Sequence, residues 1–109
     1  MTAFAAIASP AADGAVTVTA TGELDMTSAP TLIESLRDAI RAYAPSRVDL
    51  DLSGVPFMDS TGIQVLVRTA QGLEGRGNLI LVSPGNLVRR ILELIPVQKL
   101  DNVQIVGEE

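Results

Sequence analysis

The chain has no cysteine, no histidine and no tryptophan, and its 109 residues include only two phenylalanines and one tyrosine. Each absence removes chemistry. Without imidazole or thiol there is no Ser-His-Asp or Cys-His nucleophile, no Cys/His zinc cluster and no redox pair, so a conventional hydrolase is not expected. Disulfide staples are absent too. At this length a chain buries about 65% of the surface its unfolded form exposes, and the 47% hydrophobic fraction supplies an aliphatic core large enough to hold it. Positive charge is scarce: eight basic residues face thirteen acids, for a formal charge of −5. That balance argues against a phosphate-backbone binder, and the doublet Arg89-Arg90 reads as the wet side of a helix. No apolar run approaches the ~18 residues that span a bilayer. The opening Met1 to Ala8 lacks the basic start and long apolar middle of a signal peptide. The expectation is one small cytoplasmic domain over residues 1–109, not an enzyme, with no cofactor, no metal, no direct nucleic-acid contact and no membrane.

What is present is a run of short alternating elements. Ala3 to Ser9 reads as a strand, and Asp13-Gly14 suits a hairpin turn. Ala15 to Thr21 alternates Val16, Val18 and Ala20 with threonines, the period of two that separates a core row from a solvent row. Thr27 or Ser28 can cap the next element, with Pro30 in its first turn. Leu32, Ile33, Leu36, Ala39, Ile40 and Tyr43 then recur at helical spacing, ending near Pro45. Arg47 to Ser53 alternates again. A second helix carries Ile63, Leu66, Val67, Ala70 and Leu73, and Gly72, Gly75 and Gly77 are expected to supply the backbone angles of its exit. Asn78 to Ser83 is apolar through its middle, as in a central strand. A third helix opens at Pro84-Gly85-Asn86 and stops at Pro96, and Val103 to Val106 is a last strand.

The order is β-β-α-β-α-β-α-β, an α/β fold with a largely parallel sheet. Central strands covered on both faces are apolar at every residue, whereas two strands here alternate with Thr or Asp. The main helices are therefore expected on one face, leaving the other partly wet.

The most informative segment is Asp51-Leu52-Ser53-Gly54-Val55-Pro56-Phe57-Met58-Asp59-Ser60-Thr61-Gly62, which joins a strand to a helix. Asp59 or Ser60 can serve as N-cap there. One capping residue suffices, yet three consecutive polar residues and a glycine spend helix propensity in the first turn. Gly62 is expected to leave the Ser60 hydroxyl approachable by a large partner, at a helix start whose N–H groups and dipole favour an anion. A second segment, Gly22-Glu23-Leu24-Asp25, ends a strand. Loops after parallel strands gather at one edge, so Asp25 and Asp59 are candidates for a shared rim. Nothing accompanies them to make an acid/base pair, and Asp25 reads as a strand end or a partner contact.

Asp51-Leu52-Ser53 with Phe57-Met58-Asp59-Ser60-Thr61-Gly62 resembles the signature of the STAS domain, in particular of bacterial anti-anti-sigma factors, and Gly22-Glu23-Leu24-Asp25 resembles that family's upstream motif. The element order agrees over nearly the whole chain. The resemblance implies a STAS-like fold, a mostly parallel mixed sheet with its main helices on one face. It implies Ser60 as phosphoacceptor, with Asp25, Asp59, Ser60, Thr61 and Gly62 meeting the partner. In the cycle it implies, the unphosphorylated domain binds an anti-sigma factor serine kinase and frees the sigma factor. Phosphorylation of Ser60 ends that complex, and a metal-dependent serine phosphatase restores it. One departure is that the family usually adds a helix after the last strand, whereas this sequence stops at Gly107-Glu108-Glu109.

Three other readings compete. A non-switching STAS module would be a scaffold, or a subunit of a transport or lipid-handling assembly. A receiver phosphorylated on Asp59 would need clustered acids after its first strand, where Asp13 is poorly placed, and a lysine near its last, where Lys99 is the only lysine. A nucleotide-binding domain would need a Gly-rich phosphate loop with a lysine, which the sequence lacks.

Overall fold

The structure is a computed structural model, and it describes residues 3–95, 97 and 100–107. Five strands and three helices follow one another as β1 (Ala5–Pro10), β2 (Ala15–Thr21), α1 (Ala29–Tyr43), β3 (Arg47–Gly54), α2 (Ser60–Leu73), β4 (Asn78–Val82), α3 (Asn86–Leu94) and β5 (Val103–Val106). The sheet runs in the order β1-β2-β3-β4-β5. β1 pairs antiparallel with β2, and every later pairing is parallel. The expected α/β class and element order both hold.

Local chemistry explains most boundaries. Asp13 and Gly14 both take positive φ, 65° and 76°, the geometry a tight hairpin turn demands between β1 and β2. α1 admits Pro30 in its first turn, where no N–H is missed, and ends on Ala44 in the left-handed conformation. α2 leaves through Gly75 at φ +82°. The other two glycines expected to supply exit angles do not. Gly72 lies inside the helix, and Gly77 is small because a Cβ would sit 3.1 Å from the Ser46 carbonyl oxygen. α3 starts after Gly85, with Ile95 as its C-cap; the stop expected at Pro96 lies outside the described residues.

One face of the sheet is fully covered. Val16, Val18 and Ala20 of β2, Val48, Leu50 and Leu52 of β3, and Leu79 and Leu81 of β4 are all buried in one cluster. Leu32 and Leu36 of α1, Leu66 and Leu73 of α2, and Leu92 of α3 close it from the helix side. Each such leucine contributes about 1.5–3 kcal/mol relative to exposure. The other face carries Thr17, Thr19, Asp49 and Asp51, none of them buried. This is the one-sided packing that the alternating strands imply. A monotonic strand order with right-handed crossovers produces it, because every helix must then return on the same side. Ile80 is buried but stands outside the helix-side cluster, as suits a strand paired on both edges.

Candidate functional site at the start of α2

The site grows out of the end of the β2–β3 pairing. Regular register stops with a shift between Thr19 and Thr21, and Gly22 at φ +103° turns the chain away from β2. A Cβ on Gly22 would also lie 3.0 Å from the Phe4 backbone. The following residues do not leave as a free loop. Leu24 pairs in parallel with Met58: its N–H donates to the Phe57 carbonyl at 2.9 Å, and its carbonyl accepts from the Asp59 N–H at 3.1 Å. Gly22 N–H donates to the Gly54 carbonyl at 3.0 Å. Asp25 and Asp59 are thus the residues that directly follow a hydrogen-bonded pair on adjacent parallel segments. The two motifs form one rim.

Both carboxylates are employed by the backbone. Asp59 is the N-cap of α2, in extended conformation, and its Oδ1 accepts from the N–H groups of Thr61 at 2.8 Å and Gly62 at 3.3 Å. Asp25 Oδ1 accepts from the N–H groups of Thr27 at 3.0 Å and Ser28 at 3.1 Å, and lies 3.3 Å from Ser28 Oγ. This corrects the capping expected of Thr27 or Ser28. Ser28 occupies the N-cap position of α1 but makes no side-chain cap bond. Instead its buried hydroxyl donates back to the Glu23 carbonyl at 2.7 Å and accepts from the Asp25 N–H at 3.0 Å. Ser28 therefore locks the upstream motif into its turn. Carboxylates committed to orienting backbone are poor acid/base candidates.

Ser60 is the first residue of α2 and is exposed, and its hydroxyl makes no hydrogen bond among the described residues. Thr61 beside it is half-buried. The anion-attracting helix start expected around Ser60 is largely taken. Asp59 already holds the N–H groups of Thr61 and Gly62 with its side chain and that of Ile63 with its carbonyl. Gly62 also has a different task from the one expected. It is buried, and a Cβ there would sit 2.6 Å from Met58 Cγ and 3.0 Å from Leu24 Cγ. Its missing side chain makes room for the pair that joins the two motifs.

Apolar side chains that no sequence pattern singles out stand beside the rim. Met26, directly after the upstream motif, is 75% exposed, and Phe57, within the second motif, is 38% exposed. No periodicity in the sequence marks either residue, and singly exposed apolar side chains are ordinary on a protein surface. Among the described residues, no group of three or more His, Cys, Asp or Glu is placed to hold a metal ion. No helix among them is long and apolar enough to cross a membrane.

The STAS domain family model matches residues 6–105, which span both motifs and all but the ends of the sheet. The chain belongs to the STAS domain family. It is 32% identical over 88 residues to the anti-sigma-B factor antagonist of Bacillus subtilis, covering 81% of this chain and 77% of that protein. It is 29% identical over 87 residues to the anti-sigma-F factor antagonist RsfB of Mycobacterium tuberculosis, covering 80% and 70%. Among solved structures, an anti-sigma factor antagonist from Mycobacterium paratuberculosis superposes with a TM-score of 0.83 at 26% identity, covering 94% of this chain and 86% of that one. The antagonist SpoIIAA shares the fold at 20% identity in both its unphosphorylated and its phosphorylated form, with TM-scores of 0.71 and 0.70.

Proposed function

We propose that this STAS domain is an anti-sigma factor antagonist whose unphosphorylated form binds an anti-sigma factor serine kinase and frees the sigma factor. Phosphorylation of Ser60 ends that binding, and a metal-dependent serine phosphatase reverses it. The domain is a regulatory substrate and catalyses nothing itself. The observation that carries this reading is the exposed, unbonded Ser60 hydroxyl, held on a rim with Asp25 and Asp59 by the Leu24–Met58 pairing. Exposed Met26 and Phe57 give that rim apolar contact area, and half-buried Thr61 extends it along α2. Gly62 contributes by spacing rather than by contact.

The geometry supplies a reason for release. A phosphoserine carries about −1.5 to −2 charge at pH 7. Here the first-turn N–H groups are already held by Asp59, so a phosphate on Ser60 gains few backbone donors and adds its charge beside two carboxylates. In the free domain water screens this. In a packed interface the same group must be desolvated and accommodated, so binding is lost by local repulsion while the fold persists. That SpoIIAA keeps one fold in both of its forms supports the second half of this argument.

The test is intact-mass measurement after incubation with candidate anti-sigma kinases and ATP, on the native chain and on Ser60→Ala. One added phosphate that disappears in Ser60→Ala is the expected result, together with retained kinase binding by Ser60→Ala and lost binding by Ser60→Asp. Modification on another side chain, or binding indifferent to Ser60→Asp, overturns the reading. A domain that binds such a partner with no phosphate transferred is a non-switching STAS module.

A further inference from the structure

α1 and α2 lie side by side, and the furrow between them is a cavity of about 330 Å³. Its walls are Ile33, Leu36 and Ile40 from α1 and Val65, Thr69 and Gly72 from α2. Three arginines also line it, Arg37 and Arg41 one turn apart on α1 and Arg68 on α2. Toward the start of α2 it continues as a smaller recess of about 180 Å³ between Met26, Pro30 and Thr61. Three of the eight basic residues of an acidic chain thus border one apolar trough.

The arginines are little used within the fold. Arg37 and Arg68 have no ion pair among the described residues, and Arg41 reaches only Asp38 at 3.9 Å, with both side chains well exposed. A pair of that kind contributes little. The floor offers no spare donor, because the Thr69 hydroxyl is spent on the Val65 carbonyl at 2.8 Å. Gly72, next to last in α2, leaves that end of the trough open, since among the described residues nothing lies within 4 Å of a Cβ placed there.

We propose that this furrow is a docking groove for an acidic amphipathic helix of a protein partner. Two parallel walls of helix accept a third helix between them, with apolar anchors at i, i+3 or i+4 and i+7. The stretch from Ile33 to Ile40 is about 10 Å of α1, matching two turns of the occupant. Acidic residues flanking those anchors meet Arg37 and Arg41 on one side and Arg68 on the other. Net charge disfavours any acidic occupant alike, and Glu34 and Asp38 stand beside Arg37 and Arg41 on α1, so the shape decides: a concave trough between two helices is a poor fit to a flat bilayer and a good one to a third helix. The proposal does not depend on Ser60, and its test uses no kinase.

The test is an NMR titration of the isotopically labelled full chain with a synthetic helical peptide of about four turns, leucines on one face and glutamates flanking them. Saturable amide shifts confined to residues 33–41 and 65–72 are expected. Arg37→Glu with Arg68→Glu is expected to weaken binding about tenfold, and Gly72→Leu, whose Cβ meets nothing within 4 Å among the described residues and whose side chain would occupy the trough, by at least as much. Thermal melts of both variants establish that they fold. Absence of saturable shifts, equal binding of the peptide with lysine in place of glutamate, or unchanged affinity in Gly72→Leu overturns the proposal. So does a response seen only with phosphatidylglycerol vesicles, which would assign the surface to anionic lipid.

Discussion

Gly62→Ala should destabilise the domain although it replaces the weaker helix former with the best one. In open helix the change is favourable by up to about 1 kcal/mol. At Gly62 the new methyl would stand 2.6 Å from Met58 Cγ and 3.0 Å from Leu24 Cγ, and both of those side chains are fully buried. Neither can move into solvent, and overpacking of this kind costs about 1–3 kcal/mol. A 2.6 Å approach belongs in the upper part of that range, about 2–3 kcal/mol, so after the propensity gain the net loss is roughly 1–2 kcal/mol, which for a domain of this size lowers Tm by about 4–10 °C. Gly72→Ala in the same helix is the internal control, because nothing lies within 4 Å of its Cβ, and it should raise Tm by a few degrees. Differential scanning calorimetry of both variants reads the signs directly. Repeating Gly62→Ala in a Met58→Ala background removes the atom responsible for the clash, so most of the penalty should vanish. A raised Tm for Gly62→Ala, or an equal loss in both backgrounds, refutes the reasoning.

Three further outcomes follow from named contacts. Asp59→Ala removes the acceptor for the Thr61 and Gly62 N–H groups and should cost about 1 kcal/mol in urea unfolding, while Asp59→Asn keeps an acceptor oxygen and most of the stability. Ser28→Ala leaves the Glu23 carbonyl and the Asp25 N–H without their side-chain partner and should cost about 1–3 kcal/mol, with faster amide exchange through residues 22–28. Asn102 Nδ2 donates to the Ala70 carbonyl at 2.8 Å and the Gly77 carbonyl at 3.1 Å, tying the end of α2 to the segment before β5. Asn102→Ala should therefore lower the urea midpoint by an amount equivalent to about 1–2 kcal/mol.

Those contacts also mark where the sequence ceases to be legible. The alternation of β2 and β3 and the apolar stripes of α1 and α2 are local periodicities. They set element order, the buried row of each strand and the side on which the helices lie. The rim was legible as an expectation only, because parallel connections bring strand ends together without stating which residues pair. The Leu24–Met58 hydrogen bonds join distant segments through main-chain groups that every residue carries, so no residue type announces them. The same holds for capping. Thr27, Ser28 and Asp25 all carry suitable oxygens, and only the turn geometry decides that Asp25 accepts while Ser28 points backwards. The sequence sets Gly62 near Ser60 along the chain, whereas its decisive neighbours, Met58 and Leu24, come from the packed interior.

The Leu24–Met58 bridge has a practical consequence for anyone moving this switch between scaffolds. A loop copied alone, from Phe57 to Gly62, would arrive without the main-chain partner that fixes the height of Asp59 and without the leucine that Gly62 makes room for. The smallest transplantable unit is two strips of sequence and the hydrogen bonds between them, so a graft succeeds only on a host whose neighbouring strand can be rewritten at the same time.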